Sequence, residues 1–319
     1  MDLRQLNAIV AIAEHGSFSA AADALSTVQS NVSTHVKKLE QELGIDLVDR
    51  ATGQLTEGGT LVVERSRRVM VELDAMQSDV SALTHDVVGT VRLGIIGTAA
   101  RWLVPQLIEL APERYPLLHL VFVESTTIGL DVQLANGQVD LGVLGLPAAT
   151  TELRTVPLFE EDLVLALPRD HPMADHKIVR LAELVSLPLI LPLKGVAFRD
   201  ELDAVTAAQH LTLRPRAETD SLRLISSLSF EGAGFAILPS GALSRRRFDE
   251  WALIPVEGLA PRIVGVAQRR RALLSASVRA VLEFLQGIVA DQTRLPWGVR
   301  PVPGLPDAAS MERSLPASA

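Results

Sequence analysis

Residues 28–43, VQSNVSTHVKKLEQEL, carry hydroxyls, amides and two lysines at spacings that suit hydrogen bonding to the edges of base pairs. Wound as a helix at about 100° per residue, Val28, Val32, Val36, Leu39 and Leu43 share one narrow sector. Ser30, Thr34, Lys37 and Gln41 point the opposite way, with Gln29 and Ser33 at one flank. A DNA major groove admits such a helix, and its outward polar side chains can contact the duplex there. On periodicity alone the same stripe also fits an ordinary surface helix, so the surrounding elements must decide.

A second set of residues suits a small anion. Thr98, Ala99 and Arg101 follow the run VRLGIIG, Ser125 and Thr126 follow LHLVFVE, and Gly145 follows VDLGVLG. Lys194 and Phe198 follow LPLILP, and Thr219 precedes a helix starting near Ser221. In open α/β domains ligands sit outside the carboxyl ends of strands, where helix N-termini offer N–H groups. Each hydroxyl alone fits helix capping equally well. As a set with Arg101 and Lys194 they point to a small carboxylate or amino acid.

Other chemistries find little footing. The chain has no Cys, which excludes disulfides, thiol nucleophiles and cysteine zinc sites. His171 and His176, in RDHPMADHK, match no established ligand spacing, so no metal is expected. GIIGTAA lacks the dinucleotide glycine spacing, and no Ser, His and Asp set forms a nucleophile motif, so neither a cofactor nor an enzyme is expected. The runs Arg245–Arg246–Arg247 and Arg269–Arg270–Arg271 read as solvated faces or subunit contacts ahead of anion patches. There is no signal-peptide pattern and no run of about 18 apolar residues, so a cytoplasmic protein without a membrane partner is expected.

The elements that would position the first set are local. Leu3, Leu6, Ile9, Val10 and Ala13 form the stripe of a first helix. Ser17 can cap a second, running to about Leu25 with Phe18, Ala21, Ala22 and Leu25 inward. Ser26 and Thr27 supply a turn and the next cap, and Gly44 is a C-cap candidate. LVDRATGQLTEGG then reads as two short strands about a turn at Gly53, a wing that completes a winged helix-turn-helix over residues 1–58. Residues 59–89 form a long helix in which Val69, Leu73, Met76, Val80, Leu83 and Val87 keep coiled-coil spacing, so a dimerising linker is expected. From residue 90 to 290, seven short runs rich in Val, Ile and Leu alternate with helical stretches, which predicts α/β with mostly parallel strands. The chain leaves a first lobe (90–161 and 267–290) for a second (162–266), and residues 291–319 read as a disordered tail. Residues 1–88 hold seven cations against thirteen anions, a net charge of −6 that runs against the basic footprint expected of a DNA reader. Local placement, not the total, decides phosphate contact.

MDLRQL, GSFSAAADAL, VQSNVSTHVKKLEQELG, LVDR and LTEGG occur in an order and spacing that resembles LysR-type transcriptional regulators. The likeness is close over the DNA-binding segment and looser to about residue 290. It implies a recognition helix beginning near Gln29, with Gln29, Ser30, Ser33 and Thr34 facing bases and Lys37 and Arg50 facing phosphate. It further implies a two-lobed periplasmic-binding-protein-like effector domain with contacts at about the loops named above, and a dimer or dimer of dimers. Val28 stands where Ser is frequent, Ser30 where Pro is frequent and Val48 where Phe is usual; the first two bear on the helix start and the operator sequence.

The expected protein is therefore a regulator whose grip on a double-stranded operator, or whose bending of it, changes with a small effector. RNA polymerase is a further candidate partner. The alternative is a solute-binding protein or enzyme using the N-terminal helices only to oligomerise. The polar outer face of residues 29–41 separates the two, since an oligomerising helix would show apolar residues there.

Overall fold

The computed structural model describes residues 1–83, 87–148, 150–243, 249–270 and 273–303. They form two compact units, one of Met1–Gln77 with Asn136–Gln138 and one of the remaining chain from Ser78 onward.

The first unit opens with α1 (Leu3–His15), whose N-terminus is closed by a capping box between Asp2 and Gln5. Gly16, at φ 76°, ends it in the left-handed region that glycine tolerates. Ser17 at once caps α2 (Phe18–Ala24), accepting from the Ala20 N–H at 3.1 Å. The turn before α3 (Gln29–Leu43) bends at Ser26, φ 52°, and α3 ends at Gly44, φ 72°. Ile9, Ile12, Ala21, Ala22, Val32 and Val36 pack the three helices together. The expected apolar stripe of α3 is shorter than its sequence pattern, because Val28 and Leu43 at its ends are exposed.

The expected two-stranded wing reduces to one bridge, Val48 to Leu55. Its hairpin has no length for a ladder. Asp49 Oδ1 accepts from the Ala51 N–H at 2.8 Å, and Gly53 N–H donates to the Asp49 carbonyl at 2.7 Å, so the turn uses up the intervening residues. A long helix, α4 (Glu57–Ala82), follows. Gly59 lets it pass the preceding loop, since a Cβ there would stand 2.0 Å from the Leu47 carbonyl oxygen. On the predicted seam Val69, Met76, Val80 and Leu83 are exposed.

The second unit runs β1 (Gly89–Ile95), α5 (Gly97–Arg114), β2 (Leu118–Glu124), α6 (Thr127–Ala135), β3 (Leu141–Gly145), β4 (Leu153–Glu161) and β5 (Leu163–Pro168). It continues through α7 (Leu181–Leu184), β6 (Ile190–Pro192), α8 (Ala197–Ala208), β7 (Ala217–Thr219), α9 (Leu222–Phe230) and β8 (Ala236–Pro239). It closes with β9 (Trp251–Pro255), β10 (Arg262–Arg269), α10 (Ala276–Ala290) and β11 (Val299–Pro301). The first lobe is a six-stranded sheet in the order β11-β4-β10-β3-β1-β2, with Leu93, Leu103, Val143, Phe159 and Val281 in its core. The second lobe holds the sheets β8-β5-β9 and β6-β7, with Leu165, Leu191, Leu202 and Ile254 buried among them.

Three expectations are corrected. Among the named strands of the described residues, β1–β2, β1–β3 and β6–β7 pair parallel. The strands that carry the chain between lobes, β4 and β10, run in opposite directions and pair antiparallel, and β5 pairs antiparallel with both neighbours. The return to the first lobe falls at Arg262, ahead of the predicted residue 267. The tail does not begin at 291, because Leu295 and Val299 are buried and β11 pairs with β4; residues 304–319 lie outside the described chain.

Candidate functional site

The outward residues of α3 come from a helix fixed from beneath by Val32, Val36 and Leu39, each at most 1 % exposed. Gln29, Ser30, Thr34 and Lys37 are exposed and Ser33 is half-buried. The Thr34 hydroxyl donates to the Ser30 carbonyl at 2.7 Å, which leaves its oxygen lone pairs to accept. Val28 gives α3 no side-chain cap.

Arg50 has work inside its own unit. Its guanidinium lies 2.6 Å from Glu40 and 5.3 Å over the Phe18 ring. Glu40 is buried and its other oxygen accepts from the N–H groups of Leu47 at 2.9 Å and Val48 at 3.3 Å. The pair therefore pins the loop after α3 to the helix. Sequence reasoning missed Glu40, which looks like any other acid of a polar helix.

In the second unit the predicted anion set is dispersed. Thr98 is 3 % exposed, and its hydroxyl accepts from Arg262 Nη2 at 2.8 Å. Arg262 also lies 2.8 Å from Glu161, whose second oxygen accepts from the Gly241 N–H at 3.2 Å. Burial pushes the Glu161 carboxyl above the ordinary carboxylate range, while Arg262 and the Gly241 N–H pull it back. These contacts sit where β4 leaves the first lobe and β10 returns to it.

Ala99 and Phe198 are buried in the cores of their lobes, so neither presents a side chain to a ligand. Thr126 accepts from the Gly129 N–H at 3.2 Å, a capping contact of α6, and Thr219 accepts from the Ser221 N–H at 3.4 Å in the turn before α9. Ser125 packs against Gly129, and the Gly145 N–H donates to Thr127 at 3.3 Å. Lys194 is exposed. His171 accepts from the Met173 N–H at 3.2 Å, and Arg270 donates to the Thr151 carbonyl at 3.0 Å. Arg245, Arg246, Arg247 and Arg271 lie outside the described residues.

A pocket of about 770 Å³ lies between α5 and the strand ends of the first lobe on one side and α9 on the other. Of the nine predicted residues it is lined by Thr98 and Arg101 alone. Arg101 donates to the Ala242 carbonyl of the second lobe at 3.1 Å. The charged residues that sequence reasoning missed are Glu124, Arg223 and Glu231. Glu124 and Arg223 form an ion pair from one lobe to the other, 99 positions apart, and no local pattern announces it. The pocket combines an apolar floor with charges of both signs, a composition that holds and orients a small molecule. Among the described residues no helix is long and apolar enough to cross a membrane.

The model of the bacterial regulatory helix-turn-helix protein, lysR family, matches residues 3–60, and that of the LysR substrate binding domain matches residues 84–289. The hydrogen peroxide-inducible genes activator of Pectobacterium carotovorum subsp. carotovorum is 30% identical over 249 residues, covering 77% of this chain and 82% of that protein. The DNA-binding transcriptional dual regulator OxyR of Escherichia coli (strain K12) is 28% identical over 290 residues, covering 90% and 95%. Among solved structures, a full-length OxyR variant from Pseudomonas aeruginosa superposes with a TM-score of 0.69 at 25% identity, covering 96% of this chain and 99% of that one. Full-length CbnR complexed with its target DNA shares the fold, with a TM-score of 0.65 at 22% identity over 90% and 99%. A helix with a polar outer face at one end of the chain and a two-lobed domain with a pocket at the other thus match one family in order and extent. The chain belongs to the LysR family, as a DNA-binding transcription regulator with an effector-binding domain and not as an enzyme.

Proposed function

We propose that α3 enters the major groove of a double-stranded operator, with Gln29, Ser30, Ser33 and Thr34 at base edges and Lys37 at phosphate. Arg50 keeps half of its side chain exposed while paired with Glu40, and acts at phosphate from that anchored position. The observation that carries this reading is the contrast across α3, where three fully buried apolar residues back a face of exposed hydroxyls, amides and lysine. In this reading residues 1–58 read DNA, 59–89 join two copies through the exposed seam of α4, and 90–290 bind the effector. The protein works in the cytoplasm as a dimer or tetramer and acts on RNA polymerase.

The relatives are named as hydrogen peroxide-inducible activators, but this chain has no Cys. Oxidation of a cysteine thiol cannot be its signal. The effector is instead a small carboxylate or amino acid held without a covalent bond in the pocket at Thr98 and Arg101.

A gel shift with the DNA flanking its own gene tests the operator reading. Wild-type protein should prefer that DNA to random duplex, and Ser33→Ala or Thr34→Ala should lose about 1–3 kcal/mol of that preference. Wild-type discrimination in both variants would remove these two residues from the reading face.

A further inference from the structure

The pocket between α5 and α9 has at its mouth an ion pair that already satisfies a cation with a carboxylate. This inference rests on the effector reading above and gives it a chemical class. Glu124 ends β2 in the first lobe, and Arg223 lies in the first turn of α9 in the second. Their side chains stay 42% and 65% exposed, and pairs so exposed to water and salt contribute little to stability. A carboxylate from outside can therefore take Glu124's place at small cost.

Two further features favour an anion at this position. The pair lies over the start of α5, where a Cβ on Gly97 would stand 2.7 Å from Glu124 Oε1 and 3.2 Å from Arg223 Cβ and Cδ. Ile96 gives α5 no side-chain cap, so the acid over its first residue is Glu124 and not one of its own turn. Arg101 adds a second cation to the lining, against the single remaining acid, Glu231. The floor is apolar and partly aromatic, formed by Ile95, Val104, Pro105, Phe122 and Phe230.

We propose that Arg223 reads the carboxylate of the effector, that Glu124 is the internal counter-ion which the effector replaces, and that the effector is an organic acid with an apolar, ring-sized body. An acid without such a body would leave Phe122 and Phe230 uncovered. A neutral molecule of the same shape has nothing with which to displace Glu124. Because the ion pair joins the lobes, the exchange also replaces a protein contact between β2 and α9 by one that depends on the ligand.

Calorimetric titration of the full chain with 3-phenylpropanoate, and with 3-phenylpropanamide as its neutral isostere, tests this. Glu124→Gln removes the competing charge at constant volume, and the acid should bind it several-fold more tightly than wild type. Arg223→Gln should lose about tenfold or more in affinity for the acid, as expected when a hydrogen bond to a charged group goes. The amide should bind all three proteins alike. Equal affinity of the acid for all three, or no saturable binding to wild type and Glu124→Gln, overturns the proposal. Glu124→Gln keeps the size of a side chain that is 42% exposed, so its arm stands even if Arg223→Gln folds poorly. Operator preference of wild-type protein without any acid is measured separately, so the regulator reading and this one can fail independently.

Discussion

Arg262→Met removes the counter-ion of a carboxylate that has no access to water, and its cost can be worked from the contacts at the lobe junction. Glu161 is 1% exposed and Arg262 13%, with 2.8 Å between them. Taking one partner from a buried pair costs about 3–5 kcal/mol, because the other charge stays buried without compensation. Thr98 loses its donor in the same step. The loss should depend on pH. Burial raises the Glu161 pKa above its ordinary value of 4.5, so the folded protein holds this proton more tightly than the unfolded chain. The associated stability is fully present below the unfolded value and is lost as the pH rises through the folded one. Without Arg262 the folded value moves further up, so the deficit of the variant relative to wild type should shrink as neutral solution is made acidic. Urea unfolding followed by tryptophan fluorescence reports on this unit, which contains all three tryptophans of the chain, Trp102, Trp251 and Trp297. In Arg262→Met/Glu161→Gln the buried charge is gone, and roughly 2 kcal/mol should return as the coupling between the two sites. A deficit that is the same at pH 7 and pH 5, or a double variant no more stable than the single one, would refute the reasoning.

Two other substitutions test the remaining parts. Leu83→Asp, at a position 82% exposed just past α4 on the predicted seam, should leave the fold intact and shift sedimentation to smaller species, since a charge buried between paired helices is costly; an unchanged oligomer would place the dimer contact elsewhere. Gly59→Ala puts a Cβ 2.0 Å from the Leu47 carbonyl oxygen, so α4 must move away from the loop at a cost of about 1–3 kcal/mol; a melting curve of unchanged midpoint would show that the helix start can shift freely.

Features settled within a few residues were legible before the fold was known. Ser17 and Gly44 announce a helix start and a helix end by side-chain and backbone chemistry that depends on no distant contact. The period of Val32, Val36 and Leu39 likewise fixes a buried face, while the end residues Val28 and Leu43 follow the same period without meeting a neighbour to bury them. The strand β4 went unread because Pro157 breaks its pattern. Its register against β10 skips Leu158, and proline is tolerated at such a bulge. The pocket was hidden for another reason. A rule that looks at strand ends selects hydroxyls, and in this fold that of Thr126 accepts from an N–H in the first turn of α6 while that of Thr219 closes the turn before α9. Arg223 and Phe230 come from a helix face whose partner is set only by how the lobes meet.

The acidic balance of the N-terminal segment looks adverse until the position of each charge is considered. Glu40 is held by Arg50 and two backbone N–H groups, Glu42 by the amine of Met1, and Glu14 stands 3.5 Å from Arg67. The Gln5 N–H holds the Asp2 carboxyl below its ordinary range, and the Ala51 N–H does the same for Asp49. These acids are tied to caps, turns and cations of their own unit. The outward positions 29, 30, 33, 34 and 37 include no acid, and only one of them, Lys37, is a cation. A face built this way gains little from counterion release, because few phosphates are neutralised. Its affinity should then fall only gently with salt. In the proposed reading, the preference for one operator over random DNA comes from hydrogen bonds at base edges, which the amide of Gln29 and the hydroxyls of Ser30, Ser33 and Thr34 can form and a lysine-rich face would not need.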